Sequence, residues 1–189
     1  ETPLAKAILS AFSELNEVIE ERIAGAPAGS CKAYVFGGAA LNIYTNARGS
    51  SDIDVELEAA EKLQVDEIII AYIDENGNEQ LVEIDTNFST GISGTLAENY
   101  REDAVPLRVA DSDPLHVYLV SPIHLAVHKL DRFATDDQND IVELAQAGKI
   151  SSRELFEVGS EVLSYAIGNE ERLNGNLNFM FNRLVGLGY

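Results

Sequence analysis

The sequence predicts an α+β protein: a mixed β-sheet flanked by helices, followed by a helical C-terminal part. Three observations carry this expectation. Residues 52–57, 66–74 and 79–86 are β-rich, and the last two are joined through Glu75-Asn76-Gly77-Asn78, an Asn-Gly turn between extended runs. Residues 4–24 carry Leu4, Ile8, Leu15, Val18 and Ile19 near one helical face, with charged residues elsewhere. After Ser121-Pro122 the β-rich runs give way to segments of helical periodicity.

Taken in order, the first helix opens at Thr2, a capping residue, with Pro3 in the first turn, where its missing N–H costs nothing. Gly25-Ala26-Pro27-Ala28-Gly29-Ser30 stops it. A short strand is expected at 32–36, a short helix at 38–45, and the strand 52–57 next. After the hairpin, 95–102 reads as a short helix, and 105–109 and 115–120 as strands parted by the turn Asp111-Ser112-Asp113-Pro114. Three or four helices follow, at about 121–133, 136–147, 151–167 and 172–186, with Gly148 a natural stop and Ser151 or Ser152 a natural cap. We therefore expect a core over 1–120 and a helical part over 121–189, without linker composition between them.

At 189 residues the chain is long enough to bury a hydrophobic core without staples. No apolar run reaches the length that spans a bilayer, and the N-terminus lacks the basic-then-apolar order of a signal peptide, so no membrane association is expected. Cys31 is the single cysteine; it excludes an intramolecular disulfide and a four-cysteine zinc site, fits a reducing cytoplasm, and reads as a small buried residue. The formal charge of −19 argues against nonspecific nucleic-acid binding, which needs clustered Lys and Arg.

The informative stretch is 35–55. An apolar strand runs into Gly37-Gly38, a short helix and a polar loop follow, and Asp52 and Asp54 then enter a second apolar strand. Side chains alternate along a strand, so Asp52, Asp54 and Glu56 share one face and Ile53, Val55 and Leu57 the other. Glu83 and Asp85 share a face with Leu81 in the later strand. If that strand lies beside 52–57, Asp85 approaches Asp52 and Asp54, and three such carboxylates call for a cation; Mg²⁺ takes a few carboxylates and completes its shell with water and phosphate. Glycines let backbone amides approach an anion, and the helix after Gly37-Gly38 favours negative charge at its start. Ser50 and Ser51, just before Asp52, can add hydroxyl donors to the same phosphates.

Gly37-Gly38, thirteen residues, then Asp52-Ile53-Asp54-Val55, with Asp85 in a later strand, resembles the signature of the DNA polymerase β-like nucleotidyltransferase superfamily. Ser121-Pro122-Ile123-His124-Leu125, Lys129-Leu130-Asp131-Arg132, Asp136-Asp137 and Asp140-Ile141-Val142-Glu143-Leu144 resemble the helical region of bacterial minimal nucleotidyltransferases and of abortive-infection type IV toxins. The resemblance covers about residues 33–147. It implies a nucleotidyltransferase-like fold and transfer of a nucleoside monophosphate from a nucleoside triphosphate to a hydroxyl. It further implies two Mg²⁺ ions on Asp52, Asp54 and Asp85, with Asp85 also a general base. Gly37, Gly38, Ser50, Ser51 and Lys129 would then bind phosphate. Where the family carries an Arg-Asp element, this chain reads Thr135-Asp136-Asp137. That departure supports an alternative, a degenerate member that binds a nucleotide or a partner protein, by analogy within a toxin–antitoxin pair. The charge favours a small cationic molecule or a protein acceptor over tRNA. His124 and His128 lie four apart but lack the Glu of a zinc-protease motif, since position 125 is Leu, and are expected to be helix histidines that are satisfied or partly exposed.

Overall fold

The computed structural model describes residues 2–59, 67–85, 96–166 and 170–189. The chain divides into two compact units: Glu1–Ser89 with Ala104–Val120, and Thr90–Asp103 with Ser121–Tyr189.

The first unit holds α1 (Pro3–Arg22), β1 (Cys31–Val35), α2 (Gly37–Thr45), β2 (Asp52–Ala59), β3 (Ile69–Ile73), β4 (Glu79–Asp85), β5 (Val105–Arg108) and β6 (Leu115–Leu119). Thr2 caps α1, its Oγ1 accepting from the Ala5 amide at 3.1 Å. The strands form one mixed sheet in the order β3-β4-β2-β1-β6-β5. β1 is antiparallel to β2 and parallel to β6, while β2 is parallel to β4. The β3–β4 hairpin turns on Asp74, whose carboxylate accepts from the amides of Asn76 and Asn78 at 2.9 and 2.8 Å.

Strand alternation sorts the sheet into two faces. Ala33, Val35, Ile53, Val55, Val82, Ile84, Leu115, Val117 and Leu119 are all buried. α1 packs against β3, β4 and β6, and α2 against β2. Each Val, Ile and Leu side chain among them contributes about 1.5–3 kcal/mol relative to exposure. Fixing the apolar residues on one face forces Asp52, Asp54 and Glu56 onto the other. The sheet is thus the α+β arrangement the sequence predicts.

The second unit contains α3 (Pro122–Arg132), α4 (Thr135–Gln146), α5 (Ser152–Leu163) and α6 (Glu170–Leu187). Ser151 and Glu154 form a reciprocal capping box at the start of α5. α3 packs on α4, α5 and α6, and α5 on α6. The expected helix at 95–102 is corrected: residues 98–103 form consecutive turns, with Tyr100 and Glu102 amides reaching back three residues to Ala97 and Asn99. So short a segment cannot offset helix nucleation, and the Asn99 side chain instead bonds Asp103 at 2.7 Å. Position 95 of that segment, Asp66 and Thr86 of the expected strands, and position 167 of the third C-terminal helix lie outside the described residues. That helix ends at Leu163, where the Ser164 hydroxyl bonds the Glu161 carbonyl. Among the described residues no helix is long and apolar enough to cross a membrane.

Candidate functional site

The site is built around the turn from β1 into α2. Phe36 is extended and buried, and its amide donates to the Asp54 carbonyl at 2.9 Å, tying the turn to β2. Gly37 has φ +61°, a conformation that L side chains rarely adopt. A Cβ on Gly37 would lie 1.9 Å from the Asp54 carboxylate oxygen Oδ2. The bare glycine therefore makes the space into which Asp54 fits. Gly38 does the same for Ser50, whose Cβ would be 2.8 Å from an added Cβ. The N-cap residue of α2, Phe36, makes no side-chain capping bond.

The carboxylates come from two neighbouring parallel strands. The register pairs Asp52 with Glu83, Ile53 with Ile84 and Asp54 with Asp85. Asp54 and Asp85 therefore stand side by side on one face, with Asp52 two positions back along the same row. The Ser51 carbonyl accepts from the Glu83 amide at 2.9 Å and begins this pairing. The Ser51 hydroxyl donates to Asp52 at 3.1 Å, and the Ser50 hydroxyl accepts from the Asp52 amide at 3.3 Å. Gly37, Gly38, Ser50, Ser51, Asp52, Asp54 and Asp85 thus all belong to the first unit and lie along one turn, one loop and two strand segments.

Glu83 is the residue that sequence reasoning left outside the site, although it shares a strand face with Asp85. Its register partner is Asp52. Desolvation raises its pKa above the usual carboxylate value, reinforced by Glu67, Asp52 and Asp85. Proximity of like charges is thus a physical property of this row.

Among the described residues no three carboxylate, imidazole or thiol groups are drawn together into an ion-holding cluster. The donors on this face are nevertheless hard oxygens, set in a cradle that a Cβ at position 37 would fill. They fit Mg²⁺, which uses one or two carboxylates with water and substrate phosphate rather than a full protein cage.

Lys129 lies in the second unit, in α3, and is 6% exposed. Its ammonium is 2.7 Å from Asp140 and 3.5 Å from Asp137. Arg132 clasps Asp137 with two bonds of 2.7 Å, and the Ala134 amide adds a third at 3.0 Å. Burial alone would raise the Asp137 pKa, but the Arg132 bonds and the Lys129 charge bring it below the usual value. The Thr135-Asp136-Asp137 element carries no cation of its own, and Arg132, from the preceding helix, supplies one to Asp137. His124 is buried and its Nε2 lies 3.0 Å from Asp103, while burial and the nearby Lys129 hold His128 below the ordinary imidazole value. Cys31 is buried in β1.

Hard carboxylates beside a glycine turn, with serine hydroxyls before them, suit phosphate chemistry assisted by a divalent ion. The family described as "Nucleotidyltransferase of unknown function (DUF6036)" matches residues 7–184 of this chain. No curated protein sequence matches it.

Proposed function

The chain belongs to this nucleotidyltransferase family, and from that premise we propose that it moves a nucleoside monophosphate from a nucleoside triphosphate to a hydroxyl acceptor in a Mg²⁺-dependent reaction. The observation that carries the reading is the pairing of Asp54 with Asp85 on parallel strands, with Gly37 bare against the Asp54 carboxylate. The DNA polymerase β-like branch, with abortive-infection type IV toxins among its members, is the one whose motifs the chain resembles.

Asp52, Asp54 and Asp85 would hold two Mg²⁺ ions, which supply charge stabilisation to the attacking and leaving oxygens of the transfer. Asp85 takes the proton of the acceptor hydroxyl as a general base. The first-turn amides at Gly37 and Gly38 and the hydroxyls of Ser50 and Ser51 orient the phosphate tail. Lys129, to which the resemblance gives a phosphate-binding role, is paired with Asp140 at 2.7 Å. The acidic chain favours a cationic small molecule or a basic protein face as acceptor over tRNA. A cytoplasmic place of action accords with the single buried thiol.

The test is incubation with each α-labelled nucleoside triphosphate and a whole-cell extract, with and without Mg²⁺. The expected result is Mg²⁺-dependent label on a non-tRNA acceptor, absent in Asp54→Asn. Label that persists in Asp54→Asn would sink the mechanism, and label on tRNA alone would sink the acceptor reading. One observation favours a second reading, a non-catalytic nucleotide- or protein-binding member: Lys129 is engaged within its own unit. Nucleotide binding by calorimetry with no pyrophosphate release across a broad acceptor panel would select it.

A further inference from the structure

Among the described strands β3 and β5 are the two ends of the sheet, and they differ in kind. β5 carries Pro106, which has no amide to donate, and its register shifts between Pro106 and Arg108. Both features block pairing with a further strand. β3 reads Ile69-Ile70-Ala71-Tyr72-Ile73 and pairs with β4 in unbroken register. The Ile68 carbonyl accepts from the Ile84 amide at 3.1 Å, and the Asn78 carbonyl from the Asp74 amide at 2.9 Å. Antiparallel pairing alternates, so the even-numbered residues direct their backbone groups toward β4. The N–H and C=O groups of Ile69, Ala71 and Ile73 point to the outer edge.

The side chains of these three residues lie on the face of the acidic row. Ile69 is 44% exposed and Ile73 58%, and Leu81, the partner of Ala71, is 57% exposed. Large apolar side chains grouped in solvent beside an open strand edge mark a surface that takes a partner. We propose that the outer edge of β3 takes, as an added strand, an extended segment of a partner protein with the pattern basic-x-apolar-x-basic.

The register supplies the pattern. On this face Ile69 stands beside Glu83, Ala71 beside Leu81 and Ile73 beside Glu79. A side chain of the added strand opposite Ala71 looks over a methyl group to Leu81, which suits an apolar residue. Side chains opposite Ile69 and Ile73 meet an isoleucine first and a carboxylate behind it. Lys or Arg fits both places, with its stem on the isoleucine and its charge toward Glu83 or Glu79. Glu67, close to Glu83, and Asp52, its partner on β2, add negative charge at one end. A second copy of this chain would bring like carboxylates together at a net charge of −19, so a basic partner is favoured. Main-chain bonds give such a pairing its affinity, and alternate side chains its specificity. Asp85 stands on the same face of β4 as Glu83. In a clause that rests on the proposed transfer, the partner is the acceptor.

Heteronuclear NMR on the isotope-labelled full chain, titrated with the capped peptide Thr-Lys-Thr-Val-Thr-Lys-Thr without nucleotide or Mg²⁺, tests the proposal. Saturable shifts are expected at the Ile69, Ala71 and Ile73 amides. Affinity should fall at least about tenfold when both peptide lysines become glutamate. It should fall as far on N-methylation of the valine and its neighbouring threonines, which keeps every side chain and charge but removes strand donors. Glu79→Lys, at an exposed position, should weaken binding similarly with an unchanged circular dichroism spectrum. No shift at these amides, equal binding of the glutamate or N-methylated peptide, or unchanged affinity in Glu79→Lys overturns the proposal. The same shifts on raising the concentration of the chain alone also overturn it, since a second copy would then occupy the edge. Binding by a chain that transfers no label upholds this edge and counts against the transfer alone.

Discussion

Asp137 and Asp140 lie buried beneath Lys129 and Arg132, whereas Asp52, Asp54, Glu83 and Asp85 line up on two adjacent strands of the sheet. Both sets are carboxylates, but their surroundings give them different work. In the helical unit Asp137 and Asp140 each meet a cation at hydrogen-bond distance, and the cluster closes on itself. In the sheet the acids face the same way, and desolvation first, then the like charges of Glu67, Asp52 and Asp85, raise the Glu83 pKa. Neutralised acids serve the fold; aligned acids are what the proposed nucleotidyl transfer would use.

Four measurements would break or sharpen that contrast. The largest effect is expected from Lys129→Met, which leaves Asp137 and Asp140 buried without their ammonium partner. It should cost about 3–5 kcal/mol in urea denaturation. Asp140→Asn should behave similarly, and a loss below about 1 kcal/mol in both would show that the cluster is no stability element.

Next comes Asp54→Asn, expected to leave the melting temperature near that of the parent and to lower nucleotidyl transfer by at least ~10²-fold, about 3 kcal/mol of transition-state stabilisation. Equal loss of stability and activity would place Asp54 with the structural acids instead.

Gly37→Ala should lie between these classes. Its φ of +61° alone costs about 1–2 kcal/mol with a Cβ. The new methyl must also displace the Asp54 carboxylate, from which it would be 1.9 Å. Stability and nucleotide transfer should both fall, and Mg²⁺ affinity with them; unaltered Mg²⁺ affinity would separate Gly37 from the acidic row.

The smallest effects are pH-dependent and of opposite sign. Asp137 is held below its unfolded value, so its stabilisation is present above about pH 4 and fades as pH falls through the depressed native value. Asp137→Asn should therefore lose most stability at neutral pH and little in strong acid. Glu83 is held above its unfolded value, so its charge opposes folding once pH exceeds that raised value, and the opposition vanishes below about pH 4. Glu83→Gln should raise the melting temperature slightly at pH 7 and leave it unchanged in acid. A rise of equal size at both pH values would refute the like-charge account of Glu83.

Much of the sheet was legible because its signals are local. The Asn76-Gly77 turn, the alternation in 52–57 and the caps at Thr2 and Ser151 each act within a few residues. The turns at 98–103 were misjudged because short polar segments carry no periodic apolar face and their form is set by side-chain bonds such as Asn99 to Asp103. The place of Lys129 was illegible for a related reason. A lysine on a helix reads the same whether it faces a phosphate or a buried acid, and only helix packing brought Asp140 within 2.7 Å of it.

The amino-acid sequence by itself determined which residues share a face, since period-two alternation puts Asp52 with Asp54, and Glu83 with Asp85, whatever the partners. It also determined where the chain must turn, through Gly37 and Gly77. Tertiary structure alone decided that β4 lies parallel to β2 in the register that sets Asp85 opposite Asp54, and that Gly37 leaves room for the Asp54 carboxylate. Strand pairing joins segments far apart in the chain, and its register follows from the burial of Ile53, Val55, Val82 and Ile84 together. No local window contains that information.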